Sequence, residues 1–583
     1  MNTLRDSLSI LIGGPAGEGI MQSGRFLGRA LARYGYHVFI DNEYPSLIRG
    51  GLNTSFVRFG SREIWSHNSY IHLLIAFSND AINKHKGALV DKSIILYDPR
   101  TVRDLKDLNF KTISIPMLEM VRKIGAPDIV KNSVAIGAIL YIIDINLDYF
   151  YEVIEKFFAK KVKNIEYNKK AAELGYKFIE DNYPDLRNYY DVEKPKDKTQ
   201  KILLTGNEAI GLASIKSGLK FFAAYPITPA SPLFHYILNK QFEKNIIVVQ
   251  AESELAAINM AMGASYAGAR AMVATSGTGF GLMTEGFGAV AMTECPVVIM
   301  IAMRPGPGSG MPTFTSQADL RFILHASHGE FARVVVAPGD VEEAFYLTGE
   351  AFNIADKFQL PVVILVDKFL AEGLKTVNYL DEDKIVIDRG KLVKPAPKSD
   401  VIEVFPRYLA KDYLIAERIL PGTEGWVVNA NITEHDETGW SKIIPEVREV
   451  MANRRIKKIE LVEKYIKSSV KTYGDPSSDT LIISWGSTKG PILEAMHLLE
   501  NEDINVGFVQ VVYLSPFPRK EISRLLKGDK KVILIENNYT GQLGSLLKEN
   551  LFFDPEFKML RDNGLPFMPE EIYNFVMEVI KSD

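Results

Sequence analysis

The chain has 583 residues, 46% of them hydrophobic and 24% charged, a length that suits about three or four globular domains. A formal net charge of -4 gives no bulk electrostatic case for nucleic acid or for an anionic membrane surface. The lone cysteine, Cys295, excludes an internal disulfide and any iron–sulfur cluster ligated by this chain alone.

The opening segment, MNTLRDSLSILIGG, lacks a cleavable-leader pattern, and apolar runs such as Val297 to Met303 are far shorter than a bilayer span. The expectation is a soluble, cytoplasmic protein. Residues 1–190 alternate short apolar runs (Leu8 to Ile12, His37 to Ile40, Ile71 to Phe77, Ser93 to Tyr97, Thr112 to Ile115) with helical segments, which predicts an α/β domain on a parallel sheet.

The first run leads into Gly13-Gly14-Pro15-Ala16-Gly17-Glu18-Gly19 and then a helix, where backbone N–H groups and the helix dipole can receive phosphate. Asp41 stands where a ribose ligand would in a dinucleotide fold, but the glycine register fails at Ala16, so a tight turn or another phosphate-bearing ligand fits better. Arg49 precedes Gly50 and Gly51, which lets the backbone approach a ligand; a solvated arginine in a surface loop is the alternative.

Residues 191–200 are polar and charged, as a linker would be, and a second domain is expected over 201–380. Within it, Tyr225-Pro226-Ile227-Thr228-Pro229-Ala230-Ser231-Pro232 is stiffened by its prolines. Thr228 is either a hydroxyl held for a ligand or, with Ser231, an N-cap of the following helix. Glu252 and Glu254 then sit at a strand-to-helix passage, with Gly263 nine residues after Glu254. They either serve a ligand or favour the positive helix end.

Residues 381–477 are charged and weakly periodic and are expected to form a connector. Glu434-His435-Asp436-Glu437 imitates a metal cluster, but neighbouring side chains cannot all converge on one ion, so a solvated loop and no metal are expected. His325 and His328 read as structural or interface residues, and Cys295 before Pro296 as an inert buried thiol. A third α/β unit is expected over 478–583, from runs at Thr480 to Trp485, Val506 to Val512 and Lys531 to Glu536.

Glu254 nine residues before Gly263, followed by Ala274-Thr-Ser-Gly-Thr-Gly-Phe-Gly-Leu-Met283, resembles the pyrimidine-binding domain of thiamine diphosphate enzymes. Together with Tyr225-Pro-Ile-Thr-Pro229 and Arg304-Pro-Gly-Pro-Gly-Ser-Gly-Met-Pro-Thr-Phe-Thr315, in that order, the match narrows to the 2-oxoacid:ferredoxin oxidoreductases. The resemblance covers essentially the whole chain. It implies a gamma-type α/β domain fused ahead of an alpha part, and a transketolase C-terminal-like domain at the end.

The implied activity is coenzyme A-dependent oxidative decarboxylation of 2-oxoglutarate, pyruvate or a broad range of 2-oxoacids, with reduction of ferredoxin. The resemblance assigns Glu254, with Glu252 as second choice, and Thr275, Ser276 and Gly277 to thiamine diphosphate. It assigns Tyr225, Ile227, Thr228, Arg304 and Thr313 to the 2-oxoacid, with Glu254, Thr228 and Arg304 as catalytic residues. Gly14, Gly17, Gly19 and Arg49 are candidates for coenzyme A. No Gly-Asp-Gly followed by Asn-Asn is present to hold the diphosphate through Mg2+. A beta subunit is therefore implied to carry that half of the site and a 4Fe-4S cluster, in a heterodimer or dimer of heterodimers. Two other classes remain open, a thiamine enzyme without electron transfer and a non-catalytic nucleotide-binding assembly module.

Overall fold

The computed structural model describes residues 6–46, 50–103, 105, 108–395, 402–410 and 414–582. Among them, three large sheets of eight, seven and five strands carry a multidomain α/β fold.

The eight-stranded sheet is mixed rather than parallel. Ser7–Pro15 runs parallel to Ile71–Ala76 but antiparallel to Leu52–Gly60, which is also antiparallel to His37–Glu43. Asn53, Thr54 and Ser55 interrupt the apolar run of Leu52–Gly60, which hides the strand in the sequence, yet all three are buried in the sheet.

The sheet does not end with the N-terminal third of the chain. Ile202–Thr205 and Leu374–Val377 complete it, the latter pairing antiparallel with both Ile202–Thr205 and His37–Glu43. Thr376 Oγ1 adds a side-chain tie by accepting the Val38 N–H at 2.8 Å.

In the seven-stranded sheet, Leu219–Ala224, Ile247–Gln250, Arg270–Thr275, Val297–Met303, Val334–Val336 and Val362–Asp367 are parallel and largely apolar, as strands covered by helices on both faces must be. Its edge is closed by Tyr513–Ser515 from the C-terminal region, antiparallel to Val334–Val336. In the five-stranded sheet only Val470–Gly474 is antiparallel to its neighbour.

Buried charge joins the three parts. Arg58 donates to Glu494 at 3.0 Å and Arg62 to the same carboxylate at 2.8 Å. Lys489 reaches Glu343 at 2.7 Å and also pairs with Asp340. The connector contains one long helix, Pro445–Tyr465, whose Arg454 and Lys458 pair with the buried Glu294. A buried carboxylate needs such partners, and removing one leaves an uncompensated charge. No described helix is long and apolar enough to cross a membrane.

Candidate active site

The parallel strands of the second sheet deliver the singled-out motifs to one edge. Leu219–Ala224 ends at Tyr225, Ile247–Gln250 just before Glu252, Arg270–Thr275 at Ser276, and Val297–Met303 at Arg304. The crevice beyond the carboxyl ends of parallel strands is where α/β sheets bind ligands.

Ser253 caps the Glu254–Tyr266 helix by accepting the Ala256 N–H at 3.2 Å, which fixes Glu254 as its first residue. The Glu254 side chain is buried and lies against the Gly277–Thr293 helix. A Cβ on Gly279 would stand 2.3 Å from Glu254 Oε1 and 2.1 Å from Thr275 Oγ1, so the carboxylate and the hydroxyl occupy the space that this glycine vacates. Glu252 is exposed and stands apart from this contact.

Arg304 and Thr228 also meet. Arg304 Nη1 donates to the Thr228 carbonyl at 2.8 Å, so the arginine touches the backbone of this residue rather than its hydroxyl. Neither Thr228 nor Ser231 caps the next helix. Ala230 holds the N-cap position without a side-chain bond, because the Pro229 turn brings Ser231 into the helix itself. Ile227 is half-buried and Tyr225 is 43% exposed, leaving its ring open to a ligand or a partner. Burial lowers the Arg304 guanidinium from its usual value, and Asp319 opposes that.

The segment after Arg304 folds back on itself, with Met311 N bonded to Pro305 O at 3.0 Å and Thr278 Oγ1 donating to Gly308 O at 2.5 Å. Its far end is fastened by the C-terminal domain. Thr315 N bonds Gly564 O at 2.9 Å, and Gln317 N bonds Asn537 O at 2.7 Å. The fully buried Gln317 side chain donates to Trp485 O at 2.8 Å and accepts from Thr488 Oγ1 and Asn537 N, each at 2.9 Å. Thr313 lies between Met311 and Thr315, whose backbone N–H groups are both bonded.

Ser276 Oγ, Arg304 Nε, Thr313 Oγ1 and Asp319 Oδ2 are all buried and have no hydrogen-bond partner among the described residues. Buried polar atoms are nearly always paired, and two of these four, on Ser276 and Arg304, directly follow the ends of adjacent parallel strands, where another molecule can supply the missing partner. Asp319 was not singled out in the sequence. Its carboxylate packs on Gly277, where a Cβ would stand 2.1 Å from Oδ2. Burial pushes this carboxyl up to about 6, with Arg304 pulling the other way.

The N-terminal glycines divide. Gly14 lies inside a strand with Phe77 and Ile20 filling the space beside it, whereas Gly17 and Gly19 have φ of 89° and 75°, and Gly19 opens the Ile20–Tyr34 helix without a side-chain cap. The space beside Gly17 is open, Asn132 and Ile129 stand beside Gly19, and Gly14 packs the sheet. Arg49 lies outside the described residues. Asp41 pairs with Lys368 of the second domain at 3.3 Å, which explains an acidic residue there without a ribose.

The Glu434–Glu437 segment is not the solvated loop expected from sequence. Glu434 pairs with Arg448 at 2.9 Å and Arg455 at 2.8 Å, Asp436 accepts from Thr438, and His435 is fully buried against the Tyr408 ring at 4.2 Å. Among the described residues, no group of His, Cys, Asp and Glu is placed to hold a metal. Cys295 is buried, which raises its thiol.

Three protein-family models match successive parts of the chain. They are Pyruvate ferredoxin/flavodoxin oxidoreductase over residues 9–178, Pyruvate flavodoxin/ferredoxin oxidoreductase, thiamine diphosphate-binding, over 212–452, and Pyruvate:ferredoxin oxidoreductase core domain II over 478–551. The 2-oxoacid:ferredoxin oxidoreductase subunit alpha of Saccharolobus solfataricus is 34% identical over 98% of this chain and 98% of its own. The chain belongs to the 2-oxoacid:ferredoxin oxidoreductase alpha-subunit family.

Within the same family, the 2-oxoglutarate synthase subunit KorA of Methanocaldococcus jannaschii is 32% identical and matches 58% of this chain and 88% of its own. The 2-oxoglutarate:ferredoxin oxidoreductase of Magnetococcus marinus, solved with 2-oxoglutarate, coenzyme A and succinyl-CoA bound, shares the fold at a TM-score of 0.89 and 31% identity, covering 99% of this chain and 100% of that one. The chain is thus an alpha subunit of a 2-oxoacid:ferredoxin oxidoreductase, with the fold expected from its motifs.

Proposed function

We propose that this subunit, joined to a beta subunit, catalyses coenzyme A-dependent oxidative decarboxylation of a 2-oxoacid, with 2-oxoglutarate as the leading substrate, and passes the electrons to ferredoxin. The observation that supports this most is the buried Glu254 carboxylate seated against Thr275 and Gly279 at the start of its helix, with Ser276 and Arg304 at the ends of the neighbouring strands.

Those residues fit the pyrimidine half of thiamine diphosphate. Glu254, held at a helix start with no side chain at Gly279 to displace it, would hold a proton at a ring nitrogen, and Thr275, Ser276 and Gly277 would line the ring. When bound, thiamine diphosphate supplies the carbon nucleophile and electron sink that decarboxylation requires. Arg304 supplies a charged fork for the oxoacid carboxylate, with Thr313 and Thr228 alongside and Ile227 against the acid's side chain. Tyr225 borders that pocket. Gly17 and Gly19 offer backbone N–H groups to the phosphates of coenzyme A.

The chain offers no Gly-Asp-Gly motif followed by Asn-Asn and only one cysteine. The diphosphate, Mg2+ and a 4Fe-4S cluster accordingly belong to the beta subunit, in a cytoplasmic heterodimer or dimer of heterodimers. The parts at 1–190 and 201–380 serve as coenzyme A and pyrimidine units, joined by the 191–200 linker and followed by the 381–477 connector and the transketolase C-terminal-like part at 478–583.

The test is co-expression with a chain carrying Gly-Asp-Gly and four cysteines, followed by anaerobic viologen reduction with several 2-oxoacids and coenzyme A. The expected result is acyl-CoA formation that needs both chains. Inactivity of the assembled pair with every 2-oxoacid would overturn the proposal.

A further inference from the structure

Asp319 is placed at the oxoacid pocket by anchors on both sides of it. Gln542 Nε2 donates to Ala318 O at 2.7 Å, and Arg321 N donates to Gln542 Oε1 at 2.9 Å, so a single C-terminal glutamine clamps the backbone before and after it. The side chain takes no part in that clamp. Asp319 stands at the N-cap position of Leu320–His325, yet its carboxylate makes no capping bond. It packs instead on Gly277, and Oδ2 is buried without a partner.

Arg304 is the charged group that acts on it, and its Nε is also buried and unpartnered. An unmet acceptor and an unmet donor therefore stand close enough to act on each other electrostatically. Of the other elements packed here, the Gly277–Thr293 helix presents glycine at the contact, the C-terminal helix presents neutral Gln542, and the Glu254–Tyr266 helix holds Glu254 farther along, beside Gly279. Arg321 and His325, on the helix that follows Asp319, are exposed.

We propose that Asp319 is a proton-linked recognition residue for the 2-oxoacid: ionised, it competes with the substrate carboxylate for Arg304, and protonated, it donates a hydrogen bond into the same pocket. This rests on Arg304 receiving the oxoacid, as proposed above. A second anion brought beside a buried carboxylate disfavours its ionisation, and binding linkage is reciprocal. Oxoacid binding therefore takes one proton from solvent onto Asp319. That proton returns to solvent when the pocket empties, so the Asp319 cycle adds no net proton to the reaction. Burial already raises the Asp319 carboxyl to about 6, so the coupling falls near neutral pH.

The experiment uses the assembled alpha–beta holoenzyme and two readouts. Calorimetric titration with N-oxalylglycine, which presents a carboxylate beside a carbonyl but cannot lose carbon dioxide, is run in buffers of different ionisation enthalpy. Wild type is expected to take up about half a proton per site at pH 6 and close to one about a pH unit higher, and Asp319→Asn and Asp319→Ser to take up none. Steady-state kinetics should show KM for the 2-oxoacid rising by up to roughly tenfold per pH unit above the Asp319 value, without a matching change in kcat. Both variants should flatten that rise. Absence of proton uptake by wild type, or its persistence in both variants, would overturn the proposal. Unchanged N-oxalylglycine binding in Arg304→Ala would instead remove the assignment of Arg304.

Discussion

Glu254 Oε1 sits 2.3 Å from where a side chain on Gly279 would begin, so the carboxylate and the glycine are two halves of one steric arrangement. Gly279→Ala is accordingly expected to displace Glu254 and Thr275 while leaving the helix formed, since alanine favours helix. Overpacking of this kind costs about 1–3 kcal/mol. Calorimetric titration of the assembled enzyme with thiamine diphosphate should show affinity falling by a corresponding factor, with circular dichroism unchanged. Undiminished affinity would mean that the carboxylate has room to move.

Arg304→Ala removes the bond to the Thr228 carbonyl and the charged donor proposed for the substrate. A lost charged hydrogen bond is worth about 1.5–3 kcal/mol, and the effect should appear mainly in KM for the 2-oxoacid. Arg304→Lys keeps the charge but loses the planar fork, so it should recover only part of the loss. Kinetics equal to wild type in both variants would exclude the contact.

Gln317→Leu tests whether the C-terminal domain holds the substrate segment in place. The substitution strips partners from the Trp485 carbonyl and the Asn537 N–H, both within a buried network. Each buried group left unpaired costs about 1–3 kcal/mol. Thermal unfolding should begin at lower temperature and KM should rise, although Gln317 itself need not touch substrate. A lower Tm with wild-type KM would make the network purely structural.

Acid stability should depend on Lys489. Burial would raise the Asp340 carboxyl, but Lys489 and Lys375 outweigh it and bring it to about 2, below the ordinary 3.8. A depressed folded value means that this carboxylate contributes its full stabilisation above pH 3.8 and loses it as pH falls toward about 2. Lys489→Met leaves Asp340 and Glu343 short of a cation, so acid unfolding followed by circular dichroism should move to higher pH. No movement would show that Lys375 and Lys471, which pairs with Glu343 at 2.9 Å, suffice.

Local features were legible in the sequence where they set their own geometry. The Glu254 helix start, the Ser276–Gly277 turn and Arg304 each follow an apolar strand directly, and the parallel sheet aligns their ends. Leu52–Gly60 was obscured because its polar residues break the apolar run, although the sheet buries them. Asp319 and Gln317 gave no signal at all. Their importance arises from contacts with Gly277, Trp485, Thr488 and Asn537, which lie far away in sequence. The glycines at 17 and 19 were legible as a helix entrance, while Gly14 was not distinguishable from them until Phe77 was seen to fill its space.

Leu374–Val377 and Ile202–Thr205 lie in the N-terminal sheet although the chain has already passed into the second domain. A strand lent across a boundary acts as a mortise joint. Cutting the polypeptide between 191 and 200 would sever only one covalent thread and leave the two pieces holding each other through backbone pairing. The two halves are thus built to recognise each other even when made as separate chains, so a split version should reassemble by edge-strand complementation without any linker.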